Sequence, residues 1–405
     1  YFPSIHPCLV DPSPRLSFSP LMNALESRTP PLADEEPVNP VRREAGACLT
    51  VRLKTIAQNY RTALKLSSPA AVGPVVKADA YGLGMAEIVG VLSTAGADTF
   101  FVARLEEGAE LRSLLPRARI FVFDGVARGT VAALAAHRLT PVLNSIEDIA
   151  EWSALARANR TMLDAALQID TGMNRSGLGR AQVSQLAGQA GTLLDGINLA
   201  LIMSHLACAE EAGNRLNGIQ LERFRAALGI LPQAPASLAA TSGIALGRDY
   251  LFDLVRPGIG LYGGAPQKGR DNPYKMPLTL TGKVLQVRRV EAGETAGYGA
   301  RFMAARPSML VTVAFGYADG ILRHAGPEAR AMLGGVKVPF AGRISMDLVV
   351  LDATDVPVDR LERGAQVEFL GENISLEQMA EAAHTVPHEV LTSIHPRVRR
   401  VYDLS

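Results

Sequence analysis

Eight short β-rich runs alternate with helical stretches between about residues 73 and 264, and this alternation constrains the fold more than any other feature of the chain. The runs are GPVVKAD, TFFVARL, ARIFVFDG, LTPVLNS, DAALQID, LALIMSHL, PASLAATS and DLVRPGIGLYGG. Amphipathic segments such as SIEDIAEWSALARAN and GNRLNGIQLERFRAALG lie between most of them, at the spacing of βα units. Eight strands alternating with helices predict an α/β fold, a closed (βα)8 barrel of the TIM type with its active site at the C-terminal strand ends. After residue 275 the pattern becomes period two, in LTGKVLQVRRV, SMLVTVAFG, GVKVPFAG, MDLVVLDAT and AQVEFLG, with glycine turns between them. Alternation without intervening helices predicts a mostly antiparallel β domain. The expected organisation is therefore a barrel over 46–275 and a β domain over 276–405. Residues 1–45 are proline-rich and lack a sustained period, which predicts an extended or disordered leader.

The 405 residues carry 41 Lys and Arg against 40 Asp and Glu, a net charge of +1, so no overall field favours nucleic acid or an anionic membrane. No run reaches the 18 or more apolar residues of a transmembrane helix, and the N-terminus lacks the pattern of a secretory signal. Cys8, Cys48 and Cys208 are too widely spaced for a disulfide framework or a zinc site. The expectation is a cytoplasmic enzyme acting on a small molecule, without metal, nucleic acid or membrane partner.

If the runs are barrel strands, chemistry-bearing residues should gather at their ends. Lys77 is near the end of the first, in VVKADAYG. Asp170 closes the fifth and is followed by TGMNRSG with Arg175. His205 is near the end of the sixth, Ser242 ends the seventh, and Arg256 lies in the eighth. A lone histidine is more often a core or surface residue than a catalytic one; five polar groups on one rim are a stronger signal. A buried lysine is costly unless paired or neutralised. A Schiff base with an aldehyde removes the charge and supplies nucleophilic catalysis. Pyridoxal phosphate would further need phosphate donors, a group across the ring nitrogen and a face to lie against. Ser242 with RPGIG, Arg256 and His205 could supply these three supports.

From about residue 46 to 405 the chain resembles the alanine racemase family, in several motifs and in order. VVKADAYGLG looks like its cofactor-lysine signature, DTGMNRSG its arginine loop, MSHLA its ring-stacking histidine and VRPGIGLYGG its ring-nitrogen arginine. GYGARF looks like its catalytic tyrosine segment, and GYADG with GRISMD like its substrate-pocket turns. The resemblance implies that Lys77 carries pyridoxal 5'-phosphate and that Tyr81, Ser242, Gly258 and Ile259 hold its phosphate. Arg175 would lie near the ring's phenolic oxygen and the substrate carboxylate, His205 would stack on the ring, and Arg256 would face its nitrogen. Tyr298, from the other subunit of a homodimer, would be the second base, and Tyr317 and the backbone at Met346 would contact substrate. The implied reaction interconverts L- and D-alanine by two-base proton transfer at the α-carbon, supplying D-alanine for peptidoglycan.

The chain departs from that pattern at two positions. Many relatives carry a carbamate-modified lysine seven residues before the loop arginine, and Gln168 stands there; an amide can bond Arg175 but cannot neutralise it. The histidine expected four residues before the phosphate serine is Leu238, which leaves the support of Arg256 open. The family's late tyrosine near the phosphate has no clear match around SIHPRVRR. Competing readings are a decarboxylase of the same architecture, a racemase of serine or broader specificity, and a non-enzymatic cofactor-binding barrel. The first is disfavoured because no cysteine follows Cys208, the last because it would lack the β domain with Tyr298.

Overall fold

The structure, a computed structural model, describes residues 46–404 except 327, so the leader expected over 1–45 lies outside the described residues. The chain opens with strand β1 (Ala47–Arg52) and the helix Leu53–Ser67, which buries Leu53, Ile56, Ala57, Tyr60 and Ala63 along one stripe. That spacing is the apolar face of an amphipathic helix. Asn59 is buried on the same face, where its amide donates to the carbonyls of Leu261 (3.0 Å) and Lys275 (2.8 Å) and accepts from the Lys275 N–H (2.8 Å). A buried amide satisfied in this way ties the helix to the chain that leaves the barrel.

The barrel strands are β2 (Ala71–Val72), β3 (Thr99–Val102), β4 (Arg119–Val122), β5 (Thr140–Leu143), β6 (Leu163–Gln168), β7 (Ile197–Met203), β8 (Ala236–Ser237) and β9 (Leu254–Val255). β3 to β8 form one parallel sheet in sequential order, and β9 pairs in parallel with β2. Two single bridges, Val75 with Phe101 and Ala240 with Arg256, connect the pair to the two ends of the sheet. Every residue of β3 and β5 is buried, as expected of parallel strands covered on both faces. Phe101 stacks on Phe121 and Phe123 with ring centroids 4.8 and 5.4 Å apart. The helix Ile146–Asn159 is started by Ser145, whose hydroxyl accepts from the Asp148 N–H, and it buries Ile149, Trp152 and Ala156.

The second layer contains β10 (Leu278–Val290), β11 (Thr295–Ala296), β12 (Phe302–Met303), β13 (Ser308–Val313), β14 (Arg330–Leu333), β15 (Val336–Pro339), β16 (Val349–Asp352), β17 (Gln366–Leu370) and β18 (Arg399–Asp403). Its main sheet runs β15-β14-β17-β10-β1-β18, with β13 joining β10 to β16. All pairs are antiparallel except β1 with β18. The structure departs from the sequence expectation in one place. β1, assigned to the barrel by its position, belongs to this sheet, because Leu49 and Val51 are fully buried there opposite Leu280 and Leu278. Two short helices, Leu376–Ala382 and Pro387–Thr392, follow the last of the period-two runs, in a stretch those runs do not cover. A continuous apolar core runs from the barrel into this sheet through residues such as Leu53, Leu83, Leu278 and Leu391.

Candidate active site

Immediately after the Val75 bridge the backbone turns the unusual way. Ala78, Asp79, Ala80 and Tyr81 have φ of 53°, 54°, 50° and 62°, one turn of left-handed helix opened by Lys77. For L-residues that conformation costs about 1–2 kcal/mol each, so it persists only where the surroundings over-determine it. The surroundings do so here. Glu107 accepts the Ala78 N–H at 2.7 Å on one carboxylate oxygen and the Ala103 and Arg104 N–H groups on the other. The Asp79 carboxylate accepts the Met85 N–H at 2.6 Å, and the Ala80 N–H reaches Val76 O at 3.0 Å.

Lys77 therefore leaves the strand end half-buried at one side of a cavity of about 570 Å3. Burial lowers its pKa, the Arg175 guanidinium lowers it further, and Glu107 and Asp124 oppose the shift. A lowered value leaves more of the amine neutral and nucleophilic. Of the eleven residues to which the resemblance gives a catalytic, cofactor or substrate role, eight line this cavity: Lys77, Tyr81, Arg175, His205, Ser242, Arg256, Gly258 and Ile259.

At one pole the buried Tyr81 ring lies 4.7 Å from that of Tyr262. A Cβ added at Gly258 would fall 2.2 Å from the Tyr81 hydroxyl, so this tyrosine reaches its place only because Gly258 has no side chain. Thr241 accepts the N–H groups of Gly258 (3.0 Å) and Gly260 (3.3 Å), with Ser242 next to it on the cavity wall. The Gly258 N–H is thus already engaged within the protein.

Across the cavity Arg256 is 2% exposed. It donates to the Ser237 hydroxyl, to Ser204 O at 2.6 Å and to Leu238 O at 3.5 Å, and its guanidinium carbon lies 6.0 Å from the Phe101 ring centre. Leu238 offers only its carbonyl, and the hydroxyl one residue earlier supplies the support that the sequence left open. Burial pushes Arg256 down to about 9, which still leaves it cationic at neutral pH. His205 is pushed down to about 3 by enclosure and by Arg256, Arg175, Lys77 and His388, so its imidazole is neutral.

Behind these groups the buried Gln220 donates to His205 O (2.9 Å) and Thr171 Oγ1 (3.1 Å) and accepts the Ala207 N–H (2.8 Å). It thereby ties the His205 loop to the Arg175 loop. That loop is shaped by Asp170, whose Oδ1 accepts the N–H groups of Gly172, Met173 and Asn174. Gln168 packs beneath it, 2.7 Å from where a Gly177 Cβ would stand. Among the described residues Arg175 makes no ion pair with a carboxylate, and it is exposed at the cavity mouth.

Three residues do not reach the cavity of their own chain. Tyr298, Tyr317 and Met346 are 67%, 39% and 54% exposed on the β layer. The Tyr317 and Ala318 N–H groups bond Ser345 O and Met346 O, and the Tyr298 turn borders Arg343, so the three turns form one exposed rim. Sequence reasoning missed His388, which comes from the helix Pro387–Thr392 to line the cavity, its ring 5.7 Å from that of Tyr81. It also missed Ser237, Thr241 and Glu107, ordinary polar residues whose role exists only in three dimensions.

The cavity suits a pyridoxal phosphate: its volume is that of a cofactor pocket, and it joins a lysine of lowered pKa to a neutral imidazole, a buried guanidinium and a hydroxyl-rich pole. Residues 51–266 match the alanine racemase N-terminal domain and residues 277–402 the C-terminal domain. The chain is 43% identical over 357 residues to an alanine racemase of Methylobacterium nodulans, covering 88% of this chain and 96% of that protein. It is 44% identical over 359 residues to a catabolic alanine racemase of Agrobacterium fabrum, covering 88% and 92%. The alanine racemase of Bartonella henselae, solved with covalently bound pyridoxal phosphate, is similar with a TM-score of 0.85 and 38% identity, over 88% of this chain and 99% of that one. With both family domains matched in order and relatives above 40% identity along most of its length, the chain belongs to the alanine racemase family.

Proposed function

We propose that this chain interconverts L- and D-alanine using pyridoxal 5'-phosphate carried on Lys77, with a site completed by Tyr298 of a second copy. The observation that carries the reading is the convergence of Lys77, Tyr81, His205, Ser242 and Arg256 on one cavity. It reads residues 276–405 with β1 as the β domain that presents Tyr298, and the remainder from 53 as the barrel. A cytoplasmic homodimer is part of the same reading, on the strength of family membership.

The cofactor, when bound, withdraws electrons from the amino acid's α-carbon and so eases loss of its proton. The rest belongs to the chain. Tyr81 and Ser242 would hold the phosphate, and His205, neutral and unable to add charge, would lie against the ring. Arg256 would stand across from the ring nitrogen and keep its own protons, so it would offer that nitrogen no acceptor for a proton and would limit the charge drawn into the ring. Arg175 orients the substrate carboxylate, helped by the backbone at Met346, and Tyr317 borders the same entrance. The Lys77 amine takes or gives the α-proton on one face while the Tyr298 hydroxyl does the opposite on the other; positioned groups of this kind contribute about 10²–10⁴ in rate.

Purified protein loaded with the cofactor should bring the optical rotation of either pure alanine enantiomer to zero. Borohydride reduction and peptide mapping should place the label on Lys77. An unchanged rotation contradicts the activity, and a label on another lysine contradicts the assignment.

A further inference from the structure

The left-handed turn that begins at Lys77 is held from a distance by the last strand of the chain. Arg400, half-buried in β18, donates to Gly82 O through Nε (3.2 Å) and Nη2 (2.9 Å). The same guanidinium donates to Ile394 O (2.8 Å), His395 O (2.9 Å) and Val398 O (2.8 Å). Two residues on, the Tyr402 hydroxyl donates to Leu83 O at 3.0 Å. A Cβ at Gly84 would fall 2.0 Å from that hydroxyl, and Gly84 has φ +98°, so the backbone there is shaped to admit the tyrosine. Gly82 and Leu83 are the residues that end the turn, and a fork of five donors is the side chain best suited to gather several carbonyls at once.

We propose that Arg400, seconded by Tyr402, is a positioning residue that locks the end of the strained turn and so fixes the direction in which Lys77 enters the cavity. Arg400 touches neither the cavity nor the reacting atoms. It acts through the turn, whose four left-handed residues would relax toward ordinary backbone if one anchor were released. This inference rests on the reading of Lys77 as the cofactor lysine.

A structural arginine elsewhere in the molecule provides the comparison. Like Arg400, which makes five hydrogen bonds to four carbonyls, Arg112 makes five, to the carbonyls of Leu115, Pro116, Ala118, His137 and Arg138, but at the N-terminal ends of β4 and β5, on the barrel face opposite Lys77. Arg400→Met and Arg112→Met should both lower the melting temperature of the cofactor-free protein. Only Arg400→Met should weaken its affinity for pyridoxal phosphate, by about tenfold or more, with Arg112→Met within about twofold of wild type. In the loaded enzyme kcat should fall while KM for alanine changes little, and Arg400→Lys should not restore affinity, because an ammonium lacks the fork.

Should Arg400→Met fail to fold, Tyr402→Phe, which removes one hydrogen bond, tests the same point with a loss of affinity of about two- to fivefold. Wild-type affinity in Tyr402→Phe and in any folded Arg400 variant, with melting temperatures lowered as in Arg112→Met, would overturn the proposal. Reduction of the wild-type holoenzyme separates the two levels. A label away from Lys77 refutes the underlying reading, whereas a label on Lys77 with unaffected affinities refutes only the role of Arg400.

Discussion

His205 sits among cations, with Arg256, Arg175 and Lys77 all disfavouring a second proton on its ring and enclosure disfavouring it most. Its folded-state value of about 3 lies below the ordinary 6.5, so between those limits the unfolded chain binds a proton that the folded chain refuses. The stability tied to neutral His205 is complete above pH 6.5 and lost as the pH falls through that window, by about 1.4 kcal/mol at pH 5.5. The cofactor-free wild type should therefore lose more melting temperature between pH 7 and 5.5 than His205→Gln; parallel curves would contradict this account of the site. Much at this scale was legible, since Lys77, Arg175, His205 and Arg256 are chemically conspicuous at run ends. Ser237 was not, because a serine hydroxyl says nothing of its acceptor or donor until β8 is placed beside the eighth run. His388 was hidden for another reason: it reaches the cavity from a helix in a stretch beyond the last period-two run, where the sequence marked no element.

At the scale of elements, the left-handed turn is the feature the sequence conceals most fully. KADAY contains no glycine to announce four positive φ values, and local propensity argues against them. Anchors from Glu107, Asp79, Arg400 and Tyr402, distant or of ordinary type, help the turn hold. β1 was misplaced because a leading strand carries no mark of its partner; its burial is satisfied by β10, more than two hundred residues on. The glycine-rich segment after β9 was read as a source of phosphate donors, yet the missing side chain of Gly258 is what admits Tyr81. Gly258→Ala should displace Tyr81 and weaken pyridoxal phosphate binding by about tenfold. Adding Tyr81→Phe removes the 2.2 Å clash and should recover melting temperature without recovering affinity. Wild-type binding by Gly258→Ala would show that the pole is not where this account puts it.

At the scale of the molecule, the alternation of runs and helices foretold the barrel, and period two foretold most of the β layer, because both patterns follow from which faces must be buried. What one chain's sequence cannot contain is the relation between two copies, and Tyr298, Tyr317 and Met346 stand exposed, away from the cavity they are read as serving. In a two-fold dimer each exposed rim could meet its partner's cavity. The central claim is that each site takes Lys77 from one chain and Tyr298 from the other. Lys77→Ala and Tyr298→Ala, each nearly inactive alone, should be mixed under conditions where subunit exchange is demonstrated. A mixed dimer then has one site carrying both lesions and one carrying neither. Random pairing makes about half the dimers mixed and half of their sites intact, so racemase activity should recover to roughly a quarter of wild type. If Tyr298 served the lysine of its own chain every site would keep one lesion, and exchange without recovery would contradict the shared site.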